Sequence, residues 1–223
     1  MERGVMASSV MSVGSRRGGR LRTVLVWLGC AVLAGLIARF FGRAVLNYSH
    51  FDAAHYHNLW RAKWWLVAHL GGGSLALLLG PFQFSGWIRR KYVKAHQWMG
   101  RLYLGGVLVG SIASVYIGLE VAPKAFGTAL LYLALPWVVT TGMAYVSVMR
   151  RQFAAHREWM IRSYVVTFAF VLFRLGEDLD VYGGLGPSAQ AVMLAWIAWA
   201  VPLLFAEVVL QWRRSVGKSV AAS

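Results

Sequence analysis

Six stretches of this chain, approximately residues 23–41, 64–88, 102–119, 125–149, 161–176 and 189–211, are almost free of charge. A bilayer hydrocarbon core is ~30 Å thick and takes about 20 apolar residues of helix to cross. With no water inside it, each spanning segment must satisfy its own backbone N–H and C=O groups, which a helix does. The pattern therefore predicts an all-α membrane protein of six transmembrane helices. The second, fourth and sixth stretches are the longest; the fifth is short and carries Arg174. With 58% hydrophobic and only 14% charged residues, the chain is neither a disordered segment nor an ordinary soluble domain.

The formal charge of +15 could point to nucleic acid, but the bases sit in clusters between the apolar stretches, as in the loops of a multi-spanning membrane protein. Residues 1–22, 89–101, 150–162 and the tail after 211 fall on one side and hold 17 of the 23 Lys and Arg. The opposite side holds four: Arg43, Arg61, Lys63 and Lys124. Such asymmetry in short loops places the basic side, with both termini, in the cytoplasm. The expected organisation is a basic tail (1–22), one membrane domain (23–212) and a cytoplasmic tail (213–223). The partners are the bilayer and anionic lipids at the cytoplasmic face, not nucleic acid. The first apolar run exceeds a signal-peptide h-region and lacks a small-x-small cleavage site, so it reads as the first helix. The single cysteine, Cys30, lies in that run and makes no disulfide framework.

One sentence is written twice. Residues 89–103 read RRKYVKAHQWMGRLY and residues 150–164 read RRQFAAHREWMIRSY. Each has an Arg pair, an aromatic, Ala-His, then Trp-Met-x-Arg-x-Tyr, and each joins two apolar stretches. This reads as duplication of a helix–loop–helix unit, with repeat units of approximately 64–119 and 125–176 (helices 2–3 and 4–5), flanked by helices 1 and 6. Both copies face the same way, so the implied symmetry axis follows the membrane normal. Ala68, Gly72, Ala76 and Gly80 recur every fourth residue in the second stretch, and Gly106, Gly110, Ser114 and Gly118 in the third. Such stripes let helices approach closely in lipid; they cross one another or each meets another helix. Pro136 removes one backbone bond in mid-span and predicts a kink.

Histidines are the candidates for chemistry. His69 sits within the second span, where an ionisable group is a functional candidate by default; the bland alternative is a neutral imidazole bonded to a neighbouring helix. His96 and His156 are equivalent by the repeat and each opens a helix at the cytoplasmic boundary. Two facing imidazoles could ligate a haem iron, with Arg101 and Arg162 on its propionates. The alternative is a belt of His, Trp and Arg at head-group depth. His69 lies on the order of 20 Å from His96 across the core, so an outer site would instead use His69 with His55 or His57; His50 lies in the same outer connection. Arg174, Glu177 and Asp178 form either a local ion pair or, with His69, an outer polar pocket. Glu207, near the inner end of the last span, can pair with Arg162. Gly71-Gly72-Gly73 follows no strand and is no phosphate loop, and the chain lacks H-E-x-x-H and any Cys pair for zinc.

The run HLGGGSLALLLGPFQF, then AHQWMGRLY and AHREWMIRSY, resembles a bacterial family of predicted multi-pass integral membrane proteins with no assigned activity. Its hallmarks match His69, Gly80-Pro81, His96 with Gly100-Arg101 and Tyr103, and His156-Arg157 with Trp159-Met160. The resemblance covers about residues 60–180 and implies a multi-pass protein of a bacterial inner membrane. Three functions remain open: a haem-b- or quinone-linked redox protein, a scaffold, assembly factor or lipid-binding protein, and a small transporter component. A weaker analogy of fold to b-type cytochromes lacks their doubled histidine pairs on adjacent helices.

Overall fold

The computed structural model describes residues 23–25, 27–43 and 51–221. Among the described residues, six helices are long and apolar enough to cross a membrane. They are α1 (Thr23–Arg43), α2 (Lys63–Gln83), α3 (Val93–Glu120), α4 (Lys124–Met149), α5 (Phe153–Asp178) and α6 (Pro187–Ala221). No strand occurs among the described residues. α1 lies in a unit of its own (1–50), separate from residues 51–223; its 21 residues have a mean hydropathy of 2.2.

In the larger unit a helical turn (Ala53–Tyr56) and a 3-10 stretch (His57–Ala62) lead into α2. The next four helices form a ring. α2 packs on α3, α3 on α4, α4 on α5, and α5 back on α2, while α6 packs against α5 and α4. The chain alternates direction, so the two copies of the basic sentence lie at one end, here the motif end. Lys63, Glu120, Lys124 and Asp178 mark the other.

Four helix boundaries differ by several residues from those read off hydropathy. α2 stops at Gln83, not 88, because Ser85 caps a new short helix, Gly86–Lys91, accepting from the Ile88 N–H at 3.3 Å. α3 starts at Val93 instead of 102, and α5 at Phe153 instead of 161. Hydropathy marks where charge stops, but Lys, Arg and Gln are good helix formers, so the basic sentences are themselves helical. For the same reason residues 213–221 extend α6. The 1–22 tail lies outside the described residues.

The glycine stripes meet in part. A Cβ on Gly72 would lie 2.5 Å from the Gly106 carbonyl oxygen and 2.8 Å from the Gly110 nitrogen, and one on Gly106 would lie 2.7 Å from the Gly72 oxygen. α2 and α3 therefore touch backbone to backbone. Further along, Gly118 meets Gly127 of α4, and Gly80 takes the ring of Tyr164 from α5. The stripes thus serve three helix pairs. α4 runs unbroken through Pro136; the Thr140 hydroxyl donates to the Pro136 carbonyl at 2.6 Å and Thr141 to that of Trp137 at 2.7 Å.

The ring closes on Trp137 and Tyr103, 1% and 0% exposed. Their polar atoms are satisfied by hydroxyls. The Trp137 indole N–H donates to Thr167 Oγ1 at 2.8 Å. The Tyr103 hydroxyl lies 2.9 Å from Thr167 Oγ1 and 2.8 Å from Ser163 Oγ, and Ser163 Oγ lies 2.6 Å from Thr141 Oγ1. Thr167 hands its own proton to the Ser163 carbonyl at 2.9 Å. This cluster joins α3, α4 and α5, the arrangement a buried polar group requires when no water can reach it.

Candidate functional site

The two basic sentences build the same local structure at the motif end. Each contains a non-helical residue, Tyr92 or Gln152, whose carbonyl takes the His N–H (His96 at 3.0 Å, His156 at 2.9 Å). Arg follows Trp by three positions in each, which puts them on one face. The guanidinium carbon lies 4.9 Å from the Trp98 ring centre in Arg101 and 4.7 Å from that of Trp159 in Arg162. The Trp-Met-x-Arg spacing is thus a cation–π pair, made twice.

His96 and His156 come within electrostatic reach of one another. His156 donates from Nδ1 to the Ala144 carbonyl at 2.9 Å. That bond fixes the ring's orientation and leaves its Nε2 lone pair free, the arrangement by which proteins prepare an imidazole to ligate a metal. The His96 Nδ1 is buried with no hydrogen-bond partner, and so is the amide nitrogen of Gln83. Gln83, 7% exposed, lies beside Gly100, its Oε1 3.5 Å from where a Cβ there would sit. Gly100 is one turn beyond His96 on the same face. Sequence reasoning passed over Gln83, since a glutamine at a helix end carries no spacing signal.

The two arginines part company. Arg101 is exposed, with no carboxylate partner among the described residues. Arg162 is 7% exposed and committed: its Nε and Nη2 lie 2.8 and 2.7 Å from Glu207 Oε2, and its Nη1 lies 3.7 Å from Glu158 Oε2. Glu158 is also held by Arg214, whose Nε donates at 3.0 Å and whose Nη2 meets the other carboxylate oxygen. Gln211 completes Glu207 at 2.8 Å. The expected Arg162–Glu207 pair is present, but it removes Arg162 as a partner for propionates. The difference from Arg101 arises because α6 brings Glu207 against α5.

At the other end His69 donates from Nδ1 to the Gly110 carbonyl at 2.9 Å and meets the edge of Phe170 at 5.3 Å between ring centres. Phe170 in turn contacts Trp137 at 5.1 Å, so His69 is wedged between α2, α3 and α5. This matches the bland expectation of an imidazole bonded to a neighbouring helix. Arg174 lies within electrostatic range of His69, yet its Nη1 pairs with Glu177 at 2.8 Å, the local ion pair anticipated for that segment. Asp178 ends the same helix. His50 and the side chains of His55 and His57 lie outside the described residues. No group of three or more metal-ligating side chains occurs among the described residues. Sequence reasoning also passed over the Tyr103–Ser163–Thr141–Thr167 cluster, whose signal was Ser163 and Thr167 one turn apart on a helix already holding Arg162.

Residues 66–210 match the model of a family described as Predicted membrane protein (DUF2306). No curated protein and no solved structure matches the chain. The match spans well over half of the chain, which belongs to that family.

Proposed function

We propose that this DUF2306 membrane protein is a haem-b-linked redox protein whose iron is held between His96 and His156. One observation carries the reading: His96 and His156 lie within electrostatic reach of each other at the motif end, His156 with Nδ1 already spent on Ala144 and His96 with an orphaned, buried nitrogen. A pair of neutral imidazoles would hold a haem iron, and a bound haem would supply one-electron transfer. The chemistry of the two imidazoles suits the ligand positions. The residues fit less fully around the propionates, where Arg101 and the Gln83 amide are available and Arg162 is not. The chain's own task in this reading is to fix the two rings, as the Ala144 carbonyl does for His156.

The reading includes the orientation drawn from the loops: motif end and both termini in the cytoplasm of a bacterial inner membrane, with the repeat a product of duplication. Its test is the absorption spectrum of full-length protein purified from haem-sufficient cells. A Soret band that shifts on dithionite reduction, and that is lost in His96→Ala and in His156→Ala but kept in His69→Ala, is the expected result. A colourless wild-type preparation refutes it.

A second reading, a lipid-binding scaffold or assembly factor, is favoured by the exposed Arg89, Arg90, Lys91, Lys94, Arg150 and Arg151 gathered at one end. Each such base contributes ~1 kcal/mol beside anionic lipid. Unchanged co-purifying anionic lipid after Arg89→Ala with Arg90→Ala would count against it.

A further inference from the structure

α6 leaves a cleft of about 650 Å³ against α5 and α4. Trp159 and Arg162 line one wall, Trp199, Leu203 and Glu207 the other, and Thr140 the inner end. Thr140 is nine residues from the end of α4, which places it about 14 Å in from the motif end at ~1.5 Å per residue. Leu204, on the rim, is 67% exposed, so the cleft opens sideways toward the hydrocarbon region and its occupant enters from lipid. The volume suits a small-molecule head group.

Two features narrow the chemistry. The cations are already neutralised: Arg162 lies on Glu207 and Glu158, and Arg214 on Glu158. Two guanidinium groups face two carboxylates and no net charge is left for a phosphate. The Trp199 indole N–H is buried with no acceptor among the described residues, and a buried donor without a partner is costly. The donor itself has no accessible surface, so a neutral acceptor oxygen in the cleft reaches it with a turn of the Trp199 ring.

We infer that this cleft binds a membrane-borne quinone, a flat neutral ring with an isoprenoid tail, one carbonyl oxygen accepting from Trp199 and the tail leaving over Leu204. The inference deepens the redox reading by naming a partner class, but its residues are separate from the imidazole pair, so either can fail alone.

The test uses full-length protein in nanodiscs and an azido-benzoquinone with a ten-carbon tail as photoreactive probe. Label should concentrate on peptides around Thr140 and residues 199–207 and be displaced by the unlabelled quinone. Trp199→Phe keeps the ring and loses the donor, and should weaken displacement roughly fivefold, the worth of one neutral hydrogen bond. Leu203→Trp fills the cleft and should bring labelling to background. Labelling should persist in His96→Ala, which separates this site from the haem reading. Label spread evenly over lipid-facing helices, insensitivity to both cleft variants, or displacement by phosphatidylglycerol but not by quinone would each overturn the inference.

Discussion

Adding one methyl group at Gly72 should loosen the bundle, while the same change one residue earlier should not. A Cβ at Gly72 would sit 2.5 Å from the Gly106 oxygen and 2.8 Å from the Gly110 nitrogen, both backbone atoms that cannot swing away. Ordinary carbon contacts lie between 3.4 and 4 Å, so α2 and α3 must separate by about 0.9 Å or tilt. Overpacking of this kind costs about 1–3 kcal/mol. The separation also pulls on His69, one turn away on α2, whose 2.9 Å bond to Gly110 would stretch past hydrogen-bonding distance, adding about 0.5–1.5 kcal/mol. Gly72→Ala should therefore destabilise by about 1.5–4.5 kcal/mol. At Gly71 a Cβ meets nothing within 4 Å, and Gly71→Ala should be neutral or gain up to about 1 kcal/mol of helix propensity. Unfolding of the two variants by SDS titration in mixed micelles, followed by far-UV circular dichroism, measures the difference. Equal midpoints would show that the backbones do not touch at this crossing, and the packing argument would fall with them.

Tyr103→Phe removes the hydroxyl shared by Ser163 and Thr167 and should cost about 1–2 kcal/mol in the same titration. It should cost no more, because Thr167 retains the Trp137 N–H. Glu207→Gln leaves Arg162 with Glu158 alone at 3.7 Å. Since Glu207 is 39% exposed, the loss should be about 1–3 kcal/mol, below that of a fully buried pair, and the double change Arg162→Met with Glu207→Met should be milder than either alone. For orientation, in a Cys30→Ser background, Ala122→Cys should react with an impermeant maleimide added to intact cells and Arg151→Cys only after permeabilisation. The opposite pattern would invert the assignment of the basic end.

Hydropathy located every one of the six helices because the bilayer demands long apolar segments, and that demand is written residue by residue. It failed at their ends for a reason that also hid part of the site. Lys94, Arg101 and Arg157 stop a hydropathy window but not a helix, so α3 and α5 run eight or nine residues further than the apolar stretch suggests. Arg174, which made the fifth stretch look doubtful, is accommodated by Glu177 near the helix end. The Arg162–Glu207 pair was legible because both are ionisable and at matching depth. Gln83, Thr141, Ser163 and Thr167 were not: a lone hydroxyl or amide in a helix is common, and only the assembled ring shows that Tyr103, Thr141, Ser163 and Thr167 form one hydrogen-bonded cluster. The glycine stripes gave the right surfaces but not the right partners, since a stripe records how near a neighbour comes and not which neighbour it is.

The salt cluster on α6 bears on how the chain is put together during synthesis. Helices enter the membrane in the order they are translated, and the α2–α5 ring can close before the sixth segment emerges. Through that interval Arg162 already has Glu158, one turn before it on its own helix, as a provisional counter-ion, so the guanidinium need never face lipid bare. Arrival of Glu207 then converts a local pairing into a clasp between helices, which makes the last segment both the latest to be recruited and the one whose loss a ribosome stalled early would leave most visible as a stranded cation.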